Sequence, residues 1–504
     1  MPHMQALRGV APRFVAATAL LALITPASRV LARPAASESW CGLFMGPRKI
    51  GYVSASTRPA VWHGSPALEF RSRSVATLTM MGSQVNQDVL MTGFCTTAMA
   101  PLVQDYVISS AGSRLRIHAV YHSRMIECTV DSGGGSASKR SVAIPAGLRL
   151  VADSSMTNSA SHTRSGASVR LGFLNPVTLS VEPLEVRMEG PERVTLGGRP
   201  VDCLRTRVKM TMGTFTSWET RAGETVRADM PLNMAMLRMS RRDALRADAP
   251  RPAFVRTGAN RQAAAYAPPA DFAVATSLSA GRSIPNARSV RRMRIRLSGL
   301  MDDKNLLADG RQRWIREANG TITMTVTART GSLAGRARRP VVAPAMRAWL
   351  ASGPYLETGA APIRRAAREA CGVIDDAAPA AIALSAWVHS RMAPDYGIGV
   401  PRSCVDVLKS GRGVCRDYAT LFAGIARSAG IPTRLAGGIV CMGDRFFYHA
   451  WVECWAGEWF TLDPTLGGDF VDATHIKLAQ GDVSAMYETM SVIGRLKVKV
   501  LSVE

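Results

Sequence analysis

The chain has 504 residues, of which 47% are apolar and 20% charged, ordinary globular material for two or three domains with substantial cores. Its formal charge of +24 is unevenly placed: residues 341–504 hold 16 basic and 16 acidic side chains, so residues 1–340 carry the whole excess. The arginines there alternate with Thr, Val and Met in strand-like runs instead of forming one basic helix or patch, which argues against nucleic acid as a partner.

In chain order, Arg8 and Arg13 precede the apolar run Phe14 to Ile24 and then Val30-Leu31-Ala32, a small-residue cleavage pattern. Eleven residues are too short to span a bilayer, which takes about 20, so residues 1–32 are expected to be a signal peptide and the protein periplasmic or secreted. No later stretch is long and apolar enough for a transmembrane anchor, and Cys41 follows Ser39-Trp40 without a lipidation motif.

Residues 38–248 are expected to be a β-rich antiparallel module, with strands at Leu68 to Met80, Leu115 to Tyr121, Val169 to Leu174, Arg193 to Leu196 and Arg205 to Thr214. Gly197-Gly198 and Ser132 to Ala137 supply turns or loops. The basic excess of this region admits two readings, attachment to anionic cell-envelope polymers or lipid headgroups, and arginines spread singly over a solvated surface. Residues 249–270, rich in Pro and Ala, are expected as a linker, and residues 271–340 as a further β segment with strands at Val290 to Leu297 and Ile322 to Ala328.

Nine cysteines in an exported chain leave at least one unpaired. Cys41, Cys95, Cys128 and Cys203 could pair in the N-terminal region and Cys371, Cys404, Cys441 and Cys454 in the C-terminal one, or all eight could be reduced core residues. No C-x-x-C pair points to zinc, and no acidic loop to calcium, so neither metal nor cofactor is expected.

The chemistry concentrates in residues 345–504. Gly413 breaks the chain before Cys415, and Tyr418, Leu421, Phe422, Ile425 and Ala426 follow at helical spacing until Gly430-Ile431-Pro432, so Cys415 opens an amphipathic helix. The positive end of a helix favours the thiolate, the attacking form of a cysteine. Downstream, Phe446 to Trp455 and Trp459 to Leu462 read as a hairpin about the turn Ala456-Gly457-Glu458. Pairing Trp455 with Trp459 sets Trp451 opposite Asp463 and makes His449 a diagonal neighbour of that acid. The carboxylate can then fix the imidazole tautomer and leave the other nitrogen for Cys415. Glu453 shares the His449 face, Trp451, Trp455 and Trp459 read as packing, and His475, the nearest competitor for the base, reads as structural.

Cysteine, histidine and aspartate in this order, on a helix start and two adjacent strands, resemble the transglutaminase-like superfamily. The resemblance runs from about Tyr355 to Leu466 and includes the helix Ala380 to Met392, the turn Val405 to Leu408 and the link Ala429 to Arg434. It implies an α+β, papain-like C-terminal domain behind the β-rich antiparallel N-terminal region, with Cys415 as nucleophile, His449 as general base and acid, and Asp463 as orienter. It also offers Tyr396 as an oxyanion donor beside the backbone N–H of Cys415. The implied activity is acyl transfer on peptide or glutamine amides of a protein or peptide substrate, by hydrolysis or transamidation. The alternative is a non-catalytic envelope-binding protein that keeps the catalytic fold as a scaffold. Asp472 to Lys477 and Ile493 to Lys497 resemble the tail of bacterial members, and Glu38 to Gly42 with Lys49 to Tyr52 the start of a β module that precedes such domains in exported bacterial proteins.

Overall fold

The structure is a computed structural model that describes residues 36–504 except 134–136, 153–165, 212, 257–270, 301–304, 330, 332 and 334. The expected signal peptide, residues 1–32, and residues 257–270 of the expected linker lie outside the described residues. Among the described residues no helix is long and apolar enough to cross a membrane. Two compact units are present, and their boundary in sequence falls between Ala275 and Thr276.

The N-terminal unit is built on one sixteen-stranded sheet. Two meanders of sequence-adjacent strands are joined at a seam where the first strand, Ser37–Met45, pairs antiparallel with Met234–Arg238, Cys41 opposite Arg238. Side chains alternate along each strand, so Phe70, Ser72, Ser74, Ala76, Leu78 and Met80 of Ser65–Met80 are buried while Arg71 and Arg73 face out. The β character expected of this region is present. The strand expected at Arg205 to Thr214 is two, Arg199–Met210 and Gly213–Glu219, and the described start of the expected linker contains the strand Phe254–Arg256, paired with Val194–Leu196. Several outward arginines face an acid directly across the ladder: Arg58 and Glu69 at 2.6 Å, Arg116 and Asp131 at 3.3 Å, Arg193 and Asp202 at 3.5 Å. Such exposed pairs each stabilise by at most about 1 kcal/mol, but they neutralise part of the positive face.

In the C-terminal unit the helix Cys415–Ser428 is the centre, packed on by the helices Ala361–Cys371, Ala377–Arg391 and Cys404–Ser410. The turn expected at Val405 to Leu408 is the last of these helices: Ser403 Oγ caps it by accepting the Asp406 N–H at 3.2 Å, and Gly411 ends it in the left-handed region at φ 58°. The central helix was expected to be amphipathic, yet every residue from Cys415 to Arg427 is buried. Its polar side chains are satisfied from other segments: Arg416 donates to the Val400 carbonyl at 2.7 Å, Asp417 lies 3.3 Å from Arg402, and Arg427 donates to the Thr433 and Ala351 carbonyls and to Asp482.

Beside the helix runs a strand of 23 residues, Thr433–Trp455, longer than the expected Phe446 to Trp455. Its first part pairs with Ile476–Gly481, its middle with Leu278–Ile284 and its last part with Trp459–Leu462, all antiparallel. A second sheet runs in the order Gln312–Arg316, Ile322–Thr327, Arg292–Ser298 and Lys497–Val503. The strands of residues 276–340 thus pair within the C-terminal unit. All nine cysteines are buried free thiols.

One glycine of the long strand permits a close approach. A Cβ on Gly438 would lie 2.0 Å from the Ile476 carbonyl oxygen and 2.7 Å from the Trp451 ring. Gly438→Ala must therefore push the two strands apart, and it is expected to destabilise by about 1–3 kcal/mol, the usual cost of overpacking. A melting curve that matches wild type would refute this.

Candidate active site

Cys415 occupies the first turn of the central helix because the chain before it cannot continue any other element. Val414 is extended, and its N–H donates to the Asp417 carboxylate at 2.9 Å, closing the turn from below. Gly413 is required there, since a Cβ would fall 2.5 Å from that of Asp417. The unpaired N–H groups of the helix start and its positive end act on the thiol. A second cation lies beside it. Burial works against a charged Arg416 guanidinium, but Asp417, Tyr487 and the Cys415 sulfur outweigh burial and raise its pKa.

The hairpin forms in the register expected from its turn, Trp455 opposite Trp459 and Val452 opposite Leu462, with Asp463 the next residue along. His449 Nε2 lies 2.7 Å from Asp463 Oδ2, and Asp463 Oδ1 accepts the Thr465 N–H at 2.8 Å. Burial disfavours an ionised Asp463, but His449 and then His475 prevail and hold its carboxyl well below the usual range. An ionised carboxylate only accepts, so His449 donates from Nε2 and keeps Nδ1 for another partner. On that ring burial pulls the pKa down, while Asp463 first and the Cys415 thiol second push it up from 6.5 to about 9. Nδ1 has no hydrogen-bond partner of ordinary geometry, yet the Cys415 thiol stands near enough to act on the ring.

His475 was expected to be structural; it shares the acid with His449, its Nε2 3.2 Å from the same Oδ2. Trp451, wholly buried, stacks on His449 at 6.0 Å between centroids and meets His475 edge-on at 5.3 Å, so it packs the pair in place. The donor atoms of His449, Asp463 and His475 lie within 4.8 Å of one another, a grouping open to a metal ion, although both Nε2 atoms are here directed at the carboxylate.

Tyr396 is brought to the cysteine loop by the backbone: Ala393–Pro394 bridges Arg412–Gly413 in parallel, and the Asp395 N–H donates to the Gly413 carbonyl at 3.0 Å. Its half-buried side chain stands two residues beyond that bridge. Sequence reasoning assigned nothing to Arg416 or to Tyr487 of Val483–Val492, both of which feel the Cys415 charge. Arg416 adjoins Cys415 and could have been noticed, whereas Tyr487 follows it by 71 residues and has no local signal.

Residues 364–464 match the family model of the transglutaminase-like superfamily core. An uncharacterized protein of Mycobacterium leprae is 32% identical over a match that covers 19% of this chain and 43% of that protein. Among solved structures, a candidate cysteine protease of Cytophaga hutchinsonii is similar at 15% identity and a TM-score of 0.29, over 43% of this chain and 86% of its own. A beta-barrel-like protein of unknown function from Brucella abortus is similar at 8% identity and a TM-score of 0.29, over 45% of this chain and all of its own.

Proposed function

We propose, taking as premise that residues 364–464 form a transglutaminase-like domain, that this chain is an exported cysteine-dependent acyl-transfer enzyme on a papain-like α+β core. The observation that supports it most is one buried imidazole, His449, on which a carboxylate and a thiol act from two sides and whose pKa they hold near 9. Cys415 is the nucleophile, His449 the general base and acid, and Asp463 the orienter.

The Cys415 thiol gives its proton to His449, and the sulfur attacks the acyl carbon of a peptide or glutamine amide. The carbonyl electron pair moves to oxygen, where the Cys415 N–H receives it, with Tyr396 the side-chain candidate for a second donor. As the carbonyl re-forms, the C–N bond breaks and His449 returns its proton to the leaving amine, which leaves a thioester. Water, or an amine in transamidation, then loses a proton to His449 and attacks; the thiolate departs and is reprotonated. We favour hydrolysis, whose acceptor is water itself, whereas transamidation needs a lysine-like amine admitted in place of water.

Iodoacetamide labelling of the purified protein across pH, with the modified cysteine located by mass spectrometry, tests the reading. Cys415 is expected to label fast well below about pH 8, the range of an unperturbed thiol, and His449→Ala to slow it, while Cys415→Ala abolishes the labelling. A Cys415 no more reactive than an ordinary thiol would leave the basic β module as the functional part.

A further inference from the structure

We propose that His475 is a positioning residue for the Asp463–His449 pair: it holds the carboxylate from the side that His449 leaves open, so that the imidazole keeps its orientation while protons move to and from Cys415. The proposal rests on the reading of Cys415, His449 and Asp463 given above.

Four observations carry it. Asp463 Oδ2 is shared by two imidazoles, His449 Nε2 at 2.7 Å and His475 Nε2 at 3.2 Å. The other nitrogen of His475, Nδ1, lies 3.2 Å from Asp472 Oδ2, close to that carboxylate though not aligned as a hydrogen bond. Asp472 is held in turn by the Thr474 N–H at 2.7 Å, the Thr474 hydroxyl at 2.5 Å and the Arg288 guanidinium at 3.0 Å. Every member except Arg288 is buried, with His475 1% and Asp463 2% exposed, so no solvent dipole can take over if one is lost. The charged and titratable groups facing His475 are therefore Asp463 from beyond the hairpin, Asp472 from its own loop, Arg288 behind Asp472, and the His449 ring at 5.9 Å.

Nε2 is the nitrogen of His475 that meets Asp463, and since an ionised carboxylate only accepts, His475 donates there. A carboxylate held by one imidazole can swing with it. Held by Thr465 on one oxygen and by two rings on the other, it cannot, and the ring it orients is fixed with it. Outer partners that orient metal-bound histidines typically change affinity or activity by about 10- to 100-fold when removed, and an effect of that order is expected for the Asp463–His449 pair.

The test compares iodoacetamide labelling of Cys415 in wild type, His475→Phe and His475→Gln, at about pH 6 and above about pH 9.5, beside melting curves and a His449→Ala control. Phenylalanine fills the space without a donor and is expected to slow labelling at least tenfold at the lower pH. Glutamine offers one N–H to Asp463 and is expected to stay within about threefold of wild type. At the higher pH, where any thiol ionises unaided, the variants should converge. Wild-type rates in His475→Phe, or equal slowing of both variants at every pH, would overturn the proposal. If His475→Phe does not fold, the near-isosteric Asp472→Asn takes its place, with slowing confined to low pH expected and a wild-type profile decisive against. Wild-type labelling indifferent to His449→Ala would instead defeat the underlying reading, a result the His475 variants cannot mimic.

Discussion

Asparagine in place of Asp463 is expected to lower the rate at which p-nitrophenyl acetate acylates the protein by about 10³- to 10⁴-fold, with the thiol still in place. The amide has nearly the shape of the carboxylate but not its charge. Asp463 is the principal influence that keeps the His449 pKa near 9 against burial, and without it burial pulls the ring back towards the neutral form. The amide can also present its NH2 to Nε2 and favour the wrong tautomer. The same pair makes stability depend on pH in a defined sense. The raised His449 contributes fully below its ordinary 6.5 and loses that contribution as pH rises through about 9. The depressed Asp463 contributes fully above its ordinary 3.8 and loses it only as pH falls well below that value. The melting difference between wild type and Asp463→Asn should therefore be widest between those two ordinary values and shrink on either side. An acylation rate within a few-fold of wild type would remove Asp463 from the mechanism.

Glu453→Leu is expected to be the most damaging change outside the reacting groups. Glu453 and Lys477, each side chain 3% exposed, meet at 2.6 Å, Lys477 also reaches Asp309 at 2.5 Å, and Arg434 reaches Glu453 at 2.7 Å while its guanidinium lies over the Trp459 ring at 4.1 Å. Removing Glu453 leaves the buried Lys477 ammonium with Asp309 as its remaining acid and a largely buried Arg434 guanidinium without the acid it meets here. Breaking a buried pair from one side costs about 3–5 kcal/mol, which in a unit of this size lowers the melting temperature by on the order of 10 °C. The double variant Glu453→Leu/Lys477→Met removes both charges of the central pair and is expected to recover part of the loss. A single variant as stable as wild type would show that the charges contribute nothing net.

The parts of the site that could be read in the sequence are those fixed by neighbours in the chain. Gly413, the apolar spacing after Cys415 and the Gly430-Ile431-Pro432 stop define the central helix locally, and it runs from Cys415 to Ser428. The turn at Ala456 to Glu458 sets the hairpin register, and the diagonal placement of His449 and Asp463 follows from it. What could not be read depends on distant segments. The stretch before Phe446 contains Gly437-Gly438 and Met442-Gly443-Asp444, which look like loop; Ile476 makes it strand by an approach that only glycine permits. Arg416 and Asp417 look like a solvated face until Val400 and Arg402 arrive to cover them. His475 looks structural because its second carboxylate lies across the fold. In the N-terminal unit the meanders are local, but the seam of Cys41 with Arg238 joins residues nearly two hundred apart.

Cys415 has no surface in contact with solvent, and His449 and Asp463 have 2% each. The thiols most readily converted to sulfenic and then irreversible sulfinic and sulfonic acids are those that are both ionised and exposed. Here the second condition is missing: the Cys415 sulfur lies wholly beneath the surface, so iodoacetamide and peroxides alike reach it only when the segments around it open. The same opening then bounds both the labelling of Cys415 and its loss to oxidants, so the two rates are expected to rise and fall together among variants that loosen the packing around the central helix.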